Sequence, residues 1–343
     1  MDDQTYERIC QDPSAMAKRI KRHIGGKEER FLRQGLRGCP FLTKEGLCGV
    51  QKAGRKDLMS TICQEYPRRI LTFGEFTETM LELACPRVAE LFLQQEGRFS
   101  MKGQVPKPGH TMWEMENDDP AFLHFLEQCR TTLIEQITAC PTFDAGVQRG
   151  VYRFLDEIHE HVLRNQMQEA AVVQPHLLTG DESAGELFYP MELVDKVIAY
   201  NIDSVRLFRK HPQLKKLLSR YYHYFNSLTG QEAEAFYETK FREMVQELPK
   251  TREKYRAYFI YYLYEMLLAA YEDYHLLKVA LLGNMYLQIY RLLDLVAWMD
   301  HREQGKDYGI AEQAYVLSNL ERRMRHNMTI TRGILGRLRN DFL

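Results

Sequence analysis

The sequence predicts an all-α protein, on three observations. Apolar residues recur at helical spacing through most of the chain after residue 120, strand-like alternation is nearly absent, and no glycine-rich turn follows a strand-like run. The first part, from Met1 to about Gln95, is rich in Cys, Gly, Arg and Lys. Its clearest periodic stretch, Thr79 to Gln94, is expected to be helical. The segment from Gly97 to Pro120 concentrates Gly, Pro and Asp without periodicity and reads as a loop. The expected organisation is therefore a small cysteine-rich helical domain over 1–100, a linker over 101–120 and a larger multi-helix domain over 121–343.

Within that larger domain the helical patterns run over Ala121 to Ala139, Asp144 to Gln168, Pro190 to Tyr200, Gln213 to Leu228 and Ala233 to Glu247. They continue over Arg252 to Leu282, Met285 to His301 and Ala311 to Leu338. Pro249 and Thr251 are good helix starters, so the longest helix is expected to begin there. There is no internal repeat and no low-complexity tract.

Bulk composition limits the function classes. The chain has 343 residues, 45% of them hydrophobic, enough for a sizeable core. Its 46 basic and 47 acidic side chains leave a formal net charge of −1. No overall field draws it to nucleic acid or to an anionic membrane. No apolar run approaches the roughly 18 residues that span a bilayer, and the start MDDQTYERIC lacks the layout of a secretory signal. The expected location is the cytoplasm. Seven cysteines, an odd number, in a reducing compartment favour metal binding over a disulfide framework.

Cys39, Cys48, Cys63 and Cys85 fall in one stretch, GCPFLTKEGLC to ACPRVAELFL, beside Gly38, Pro40, Gly46, Gly49, Pro67 and Pro86. Thiolates are soft ligands for iron-sulfur clusters and zinc, and small or rigid neighbours let several sulfurs converge from loops. The spacing is wide, with no paired CxxC and no CxxxCxxC. Spacing alone does not separate ligands from buried thiols, and Cys85 in an apolar pattern also fits a core position. Cys10, Cys129 and Cys140 have no motif around them and read as plain thiols.

The order of these words carries a resemblance. CPFLTKEGLC, then CQEYPRR, then ACPRVAELFL, after Asp2 or Asp3, Thr5 and Tyr6, resembles the flagellin lysine-N-methylase family over roughly Asp3 to Leu93. It is similar, more loosely, to small zinc- or iron-chelating cysteine domains. A looser likeness surrounds Glu253, Lys254, Tyr255 and Tyr262, where Lys254 stands in place of the family's amide.

The resemblance implies transfer of methyl groups from S-adenosylmethionine to lysines of flagellin. It also implies an iron-sulfur cluster, of the 4Fe-4S kind, or zinc at Cys39, Cys48, Cys63 and Cys85. Family members carry further closely spaced cysteines before the Asp-x-x-Thr-Tyr words. This chain begins after that point, so the expectation is a shortened metal site. The runner-up reading is an iron-sulfur or zinc-binding module for redox work or protein interaction, without methyl transfer.

Methylation of an amine needs its neutral form, and lysine titrates near pH 10.4 in water, so a base or a desolvating pocket is required. Tyr255, Tyr258, Tyr262 and Glu265 recur at intervals of three and four and share one helix face, which makes them the catalytic candidates. Tyr261, Tyr264 and Tyr271 lie nearby, and Tyr221, Tyr222 and Tyr224 form a second cluster. An aromatic stripe of helical period equally describes a core, the commoner fate of any single tyrosine. Glu265, between Leu263 and Leu267, needs a partner if it is buried. The donor pocket has no sequence signature.

Three further features read more simply. The basic run with Lys18, Arg19, Lys21, Arg22, Lys27, Arg30, Arg33 and Arg37 is a solvated face. His159 and His161 are two apart and point to different sides of a helix, which argues against a shared metal. The C-terminal ERRMRHNMTITRGILGRLRN is an amphipathic helix packed on its own domain.

Overall fold

The structure is a computed structural model that describes residues 1–26, 31–32, 39–45, 47–74, 76–95, 113–115, 117–177, 185–203 and 212–342. The chain divides into two compact units, Met1–Glu82 with Val105–Glu114, and Leu83–Gln104 with Met115–Leu343. Most of the expected 101–120 linker lies outside the described residues.

In the first unit, helix α1 (Asp3–Gln11) starts at Asp2, whose carboxylate accepts from the Thr5 amide at 2.9 Å. Helix α2 (Ala15–His23) starts at Ser14, whose hydroxyl accepts from the Ala17 amide at 3.1 Å. Strands β1 (Ile24–Gly25) and β2 (Phe31–Leu32) pair antiparallel. A one-turn helix α3 (Gly49–Lys52) follows Cys48, and α4 (Thr61–Glu65) follows Ser60. One core cluster of this unit comprises Ile9, Ala17, Ile20, Phe41, Val50, Leu58 and Met59, and Ile70, Leu71 and Phe73 are buried as well. The described part of the basic run behaves as expected, with Lys18, Arg19, Lys21 and Arg22 all exposed. Lys27, Arg30, Arg33 and Arg37 lie outside the described residues.

Polar side chains supplement this core. The Asp2 carboxylate also accepts from the Thr61 amide at 3.1 Å and the Thr61 hydroxyl at 3.2 Å, tying α1 to α4. Burial opposes its charge, but the Thr5 and Thr61 hydrogen bonds outweigh burial and hold it well below the usual carboxylate range. Arg55 binds Asp12, Asp57 at 2.7 Å and the Ser14 hydroxyl at 3.1 Å.

This unit departs from the all-α expectation. Strands β3 (Arg68–Phe73) and β4 (Phe76–Leu81) pair antiparallel with Ile70 opposite Thr79, and Gly74 supplies the turn at φ +55°. Strand β5 (Trp113–Met115) lies on the other edge of β3. The stretch expected as a helix over Thr79 to Gln94 is thus strand to Leu81 and helix only from Pro86: α5 (Pro86–Gln94), with proline in its first turn. Proline lacks the N–H that an earlier start would need there.

The second unit is helical among its described residues apart from turns. Helices α6 (Pro120–Ala139), α7 (Ala145–Leu163), α8 (Met167–Val172) and α9 (Met191–Val197) are followed by a π-helical turn over Ile198–Asp203. Next come α10 (Pro212–Phe225), α11 (Gly230–Glu247), α12 (Thr251–Met266) and α13 (Leu276–Glu303). Helix α14 (Ile310–Leu320), a second π-helical turn (Glu321–Arg325) and α15 (Met328–Asp341) complete it. Helix α13 is buried on every side from Leu276 to Asp300, and α7, α10, α11, α12, α14 and α15 pack around it. A helix buried on every side is a core helix, and its polar residues Asn284, Gln288, Arg291 and Asp294 are buried with it.

Two boundaries differ from the periodic reading. The run Arg252 to Leu282 breaks after Met266: a 3₁₀ turn over Leu268–Tyr271 follows, Tyr274 then takes φ +58°, and the Asp273 carboxylate accepts from the His275 amide at 3.1 Å just before the next helix. The longest helix is consequently α13. Helix α5, placed by sequence in the cysteine-rich domain, packs on α14, and both Nε and Nη2 of Arg322 donate to the Ala84 carbonyl, the shorter at 2.7 Å. No helix among the described residues is long and apolar enough to cross a membrane.

Candidate functional site

The face of α12 that carries Tyr255, Tyr258, Tyr262 and Glu265 turns inward against α13 and α14, and each of the four is at most 2% exposed. Tyr255 donates to Asp294 Oδ2 at 2.7 Å. The same carboxylate accepts from the Tyr308 hydroxyl at 2.5 Å and the Gln313 amide at 2.9 Å. Burial raises the Asp294 carboxyl even against these three donors. Lys254 donates to the Gln313 side-chain oxygen at 2.6 Å, and burial lowers its ammonium below the usual lysine value despite Asp294. A chain of polar contacts therefore runs from half-buried Lys254 to a buried acid.

One turn on, Tyr258 donates to Glu321 Oε1 at 2.8 Å. Arg325, four residues after Glu321, places Nε 2.5 Å from Glu321 Oε2 and Nη1 2.7 Å from Glu265 Oε2. Two fully buried carboxylates thus share one guanidinium, which also faces the Tyr261 ring at 5.9 Å. The π-helical turn over Glu321–Arg325 carries both ionic partners on one short segment. The partner that Glu265 requires is therefore present.

Tyr262 packs its ring on Gly283, where an added Cβ would stand 2.7 Å from a ring carbon. Its hydroxyl meets no hydrogen-bond acceptor among the described residues.

Chemically, this face supplies two donors, Tyr255 and Tyr258, and one acceptor, Glu265. Burial, reinforced by Asp294 at Tyr255 and by Glu321 at Tyr258, raises both phenols well above 10, and burial does the same at Tyr262. The geometry brings the four candidates together on one helix face as core.

Sequence reasoning missed Asp294, Tyr308, Gln313, Glu321 and Arg325. Asp294 had a signal, a lone acid in the apolar run RLLDLVAW, and Glu321 with Arg325 had the i,i+4 spacing of opposite charges.

Cys39, Cys48 and Cys63 belong to the first unit. Cys39 opens a tight loop in which its carbonyl accepts from the Leu42 amide at 3.2 Å and Leu42 bridges to Cys48. Gly49 closes that loop, since its amide donates to Phe41 at 2.7 Å and a Cβ there would stand 3.0 Å from the Phe41 oxygen. Both Cys39 and Cys48 are half-buried against the small core. Cys63 is exposed on α4, and Cys85 belongs to the second unit, where it caps α5. Cys129 and Cys140 are buried, and burial pushes the Cys129 thiol up to about 12, as suits inert core thiols. Among the described residues no three of His, Cys, Asp and Glu are disposed to hold a metal.

His159 and His161 separate as the helical spacing requires. His159 is buried and stacks on His275, ring centroids 4.5 Å apart, while His161 turns to Gln166 at 3.1 Å.

No family model and no solved structure matches this chain. Over 91 residues, 26% of this chain, it is 34% identical to the flagellar biosynthetic protein FliU of Salmonella muenchen, covering 52% of that protein. Over the same length it is 34% identical to a lysine-N-methylase of Salmonella typhimurium and 33% identical to that of Salmonella choleraesuis. The match spans 22% of each of those methylases, so the chain covers about half of one relative and about a fifth of the others. Through one segment of 91 residues, then, this chain resembles proteins named lysine-N-methylase.

Proposed function

We propose that this chain works in the methylation of protein lysines, moving methyl groups from S-adenosylmethionine to lysine side chains of flagellin. The observation that carries the reading is the 91-residue identity to two lysine-N-methylases. The flagellar name of the third relative supports flagellin as the acceptor. In the reaction the neutral ε-amine attacks the methyl carbon, the carbon–sulfur bond breaks, and the thioether leaves with the bonding electrons. The new ammonium then gives its proton to water or a base.

The α12 residues serve this reaction as positioning groups. Tyr255 and Tyr258 fix α12 to Asp294 and Glu321, and Glu265 anchors it through Arg325, which sets the helix rigidly in its unit. Cys39, Cys48 and Cys63 fall in the segment whose words carry the family likeness, and a metal held there would take further ligands from outside the described set.

Intact-mass analysis of flagellin incubated with the full chain and S-adenosylmethionine tests the reading. The expected result is a ladder of methyl increments that vanishes when flagellin's lysines are blocked beforehand. Flagellin of unchanged mass, with a lysine-N-methylase run alongside as the positive control, overturns it.

A further inference from the structure

The outer face of helix α6 carries a polar row, in which exposed His124, Gln128 and Thr131 and half-buried Thr132 recur at intervals of three and four. Opposite them stand Phe154 of α7, Ala170 and Ala171 of α8, and the Val173–Gln174 step that follows. Between these walls lies a cavity of about 560 Å³. That volume is in the range of about 300–1,000 Å³ typical of small-ligand sites. Phe125 and Phe154, both buried, give it an apolar wall.

The polar groups of the opposite wall are joined. Gln128 Nε2 and His124 Nε2 are 2.9 Å apart, and His124 Nδ1 is 3.9 Å from Glu127 Oε2. The segment beyond α8 is seated firmly on α7, because Gly150 lets the His176 carbonyl and Leu177 Cα come within 2.7 and 2.8 Å of where a Cβ would be. A second cavity of about 440 Å³ continues along α6 past Gln136 to Cys140, under Pro175 and His176.

The charge of the first cavity selects among ligands. Glu127 is its formally charged side chain, and no lysine or arginine is among its described lining residues. Phosphorylated nucleotides find no cation there, whereas a ligand of net positive charge finds a carboxylate. A flat heteroaromatic ring suits Phe125 and Phe154, and the side-chain amides of Gln128 and Gln174 match the donors and acceptors on a purine edge.

We infer that this cavity between α6, α7 and α8 holds the S-adenosylmethionine donor, with Glu127 facing its positive charge and the two phenylalanines packing its purine. The inference rests on the methyltransferase reading above and locates the donor that the reading requires.

Equilibrium dialysis of the full chain with S-adenosylmethionine, S-adenosylhomocysteine and ATP tests it. The sulfonium ligand is expected to bind more tightly than its neutral thioether product, and ATP not to bind. Glu127→Gln is expected to weaken S-adenosylmethionine on the order of tenfold while changing S-adenosylhomocysteine little, the signature of a charge contact. Ala171→Trp, at an exposed lining position, is expected to fill the cavity and abolish binding of both without moving the thermal midpoint.

No binding by the wild-type chain, or wild-type affinity in both variants, overturns the site. Methyl transfer that persists unchanged in Ala171→Trp also overturns the site while the activity stands. Binding that the two variants abolish, in a chain that methylates no lysine, keeps the site and removes the methyltransferase reading.

Discussion

The two units of this chain are held together by different means. The first has, among its described residues, a cluster of seven buried apolar residues together with Ile70, Leu71 and Phe73, and it adds side-chain caps and ion pairs, while Leu42, Leu47, Ile62, Tyr66 and Leu81 stand 46–57% exposed. The second is built around a 28-residue helix buried along nearly its whole length. Its buried charges are paired internally, Asp294 with Tyr255, Tyr308 and Gln313, and Glu265 and Glu321 with Arg325. In the first unit, then, charge stands in for missing apolar area, whereas in the second burial comes first and charge must be neutralised inside it.

The sharpest way to break this contrast is at Arg325. Replacing it with alanine leaves Glu265 and Glu321 buried without their shared cation, at a cost of about 3–5 kcal/mol. Hydrogen exchange resolved to peptides is expected to show α12 and α14 losing protection. Protection that survives there would mean that burial alone holds the second unit.

Gly283→Ala comes next. The added methyl meets the Tyr262 ring at 2.7 Å, and relieving such overpacking costs about 1–3 kcal/mol. Denaturant midpoints measure it, and the double variant with Tyr262→Leu is expected to recover part of the loss. In the first unit, Asp2→Ala removes a cap and the Thr61 contacts at a cost of about 1–2 kcal/mol. Faster exchange in α1 and α4 is the expected readout. If exchange there is unchanged, apolar packing alone secures that unit.

The smallest effect is that of pH on the stacked histidines. Burial lowers both His159 and His275 from 6.5, so the unfolded chain binds protons that the folded chain refuses. The stability they contribute is present above pH 6.5 and is lost as pH falls toward their lowered values. A thermal midpoint that declines below pH 6.5, and declines less in His275→Phe, is the expected outcome. A decline of equal size in that variant would assign it to other groups.

Much of the second unit is legible in the sequence because its helices are long and periodic. Helices α6 and α11 begin and end within a few residues of where the apolar pattern places them. The break between α12 and α13 is invisible, since no glycine or proline marks Glu272 to His275 and the apolar pattern runs straight through. Strands β3 and β4 are hidden for a related reason: a run such as RRILTF is too short for its period to tell strand from helix. At the candidate site, the need of Glu265 for a partner follows from its apolar neighbours. The identity of that partner does not, because Arg325 reaches it from a distant segment through a π-helical turn. The cysteine words are plain in sequence, yet words fix identity and order only. Whether thiols converge depends on loop geometry.

The burial of α13 also sets an order on synthesis. Helices α7, α10, α11 and α12 leave the ribosome before the helix they pack around, and the faces that rest on Leu276 to Asp300 stay without that partner until it follows. At about 5–20 residues per second the wait from α7 is several seconds or more. During that time the nascent chain is a natural client for chaperones. A stop before Leu276 would leave it with the surfaces of a core and no centre.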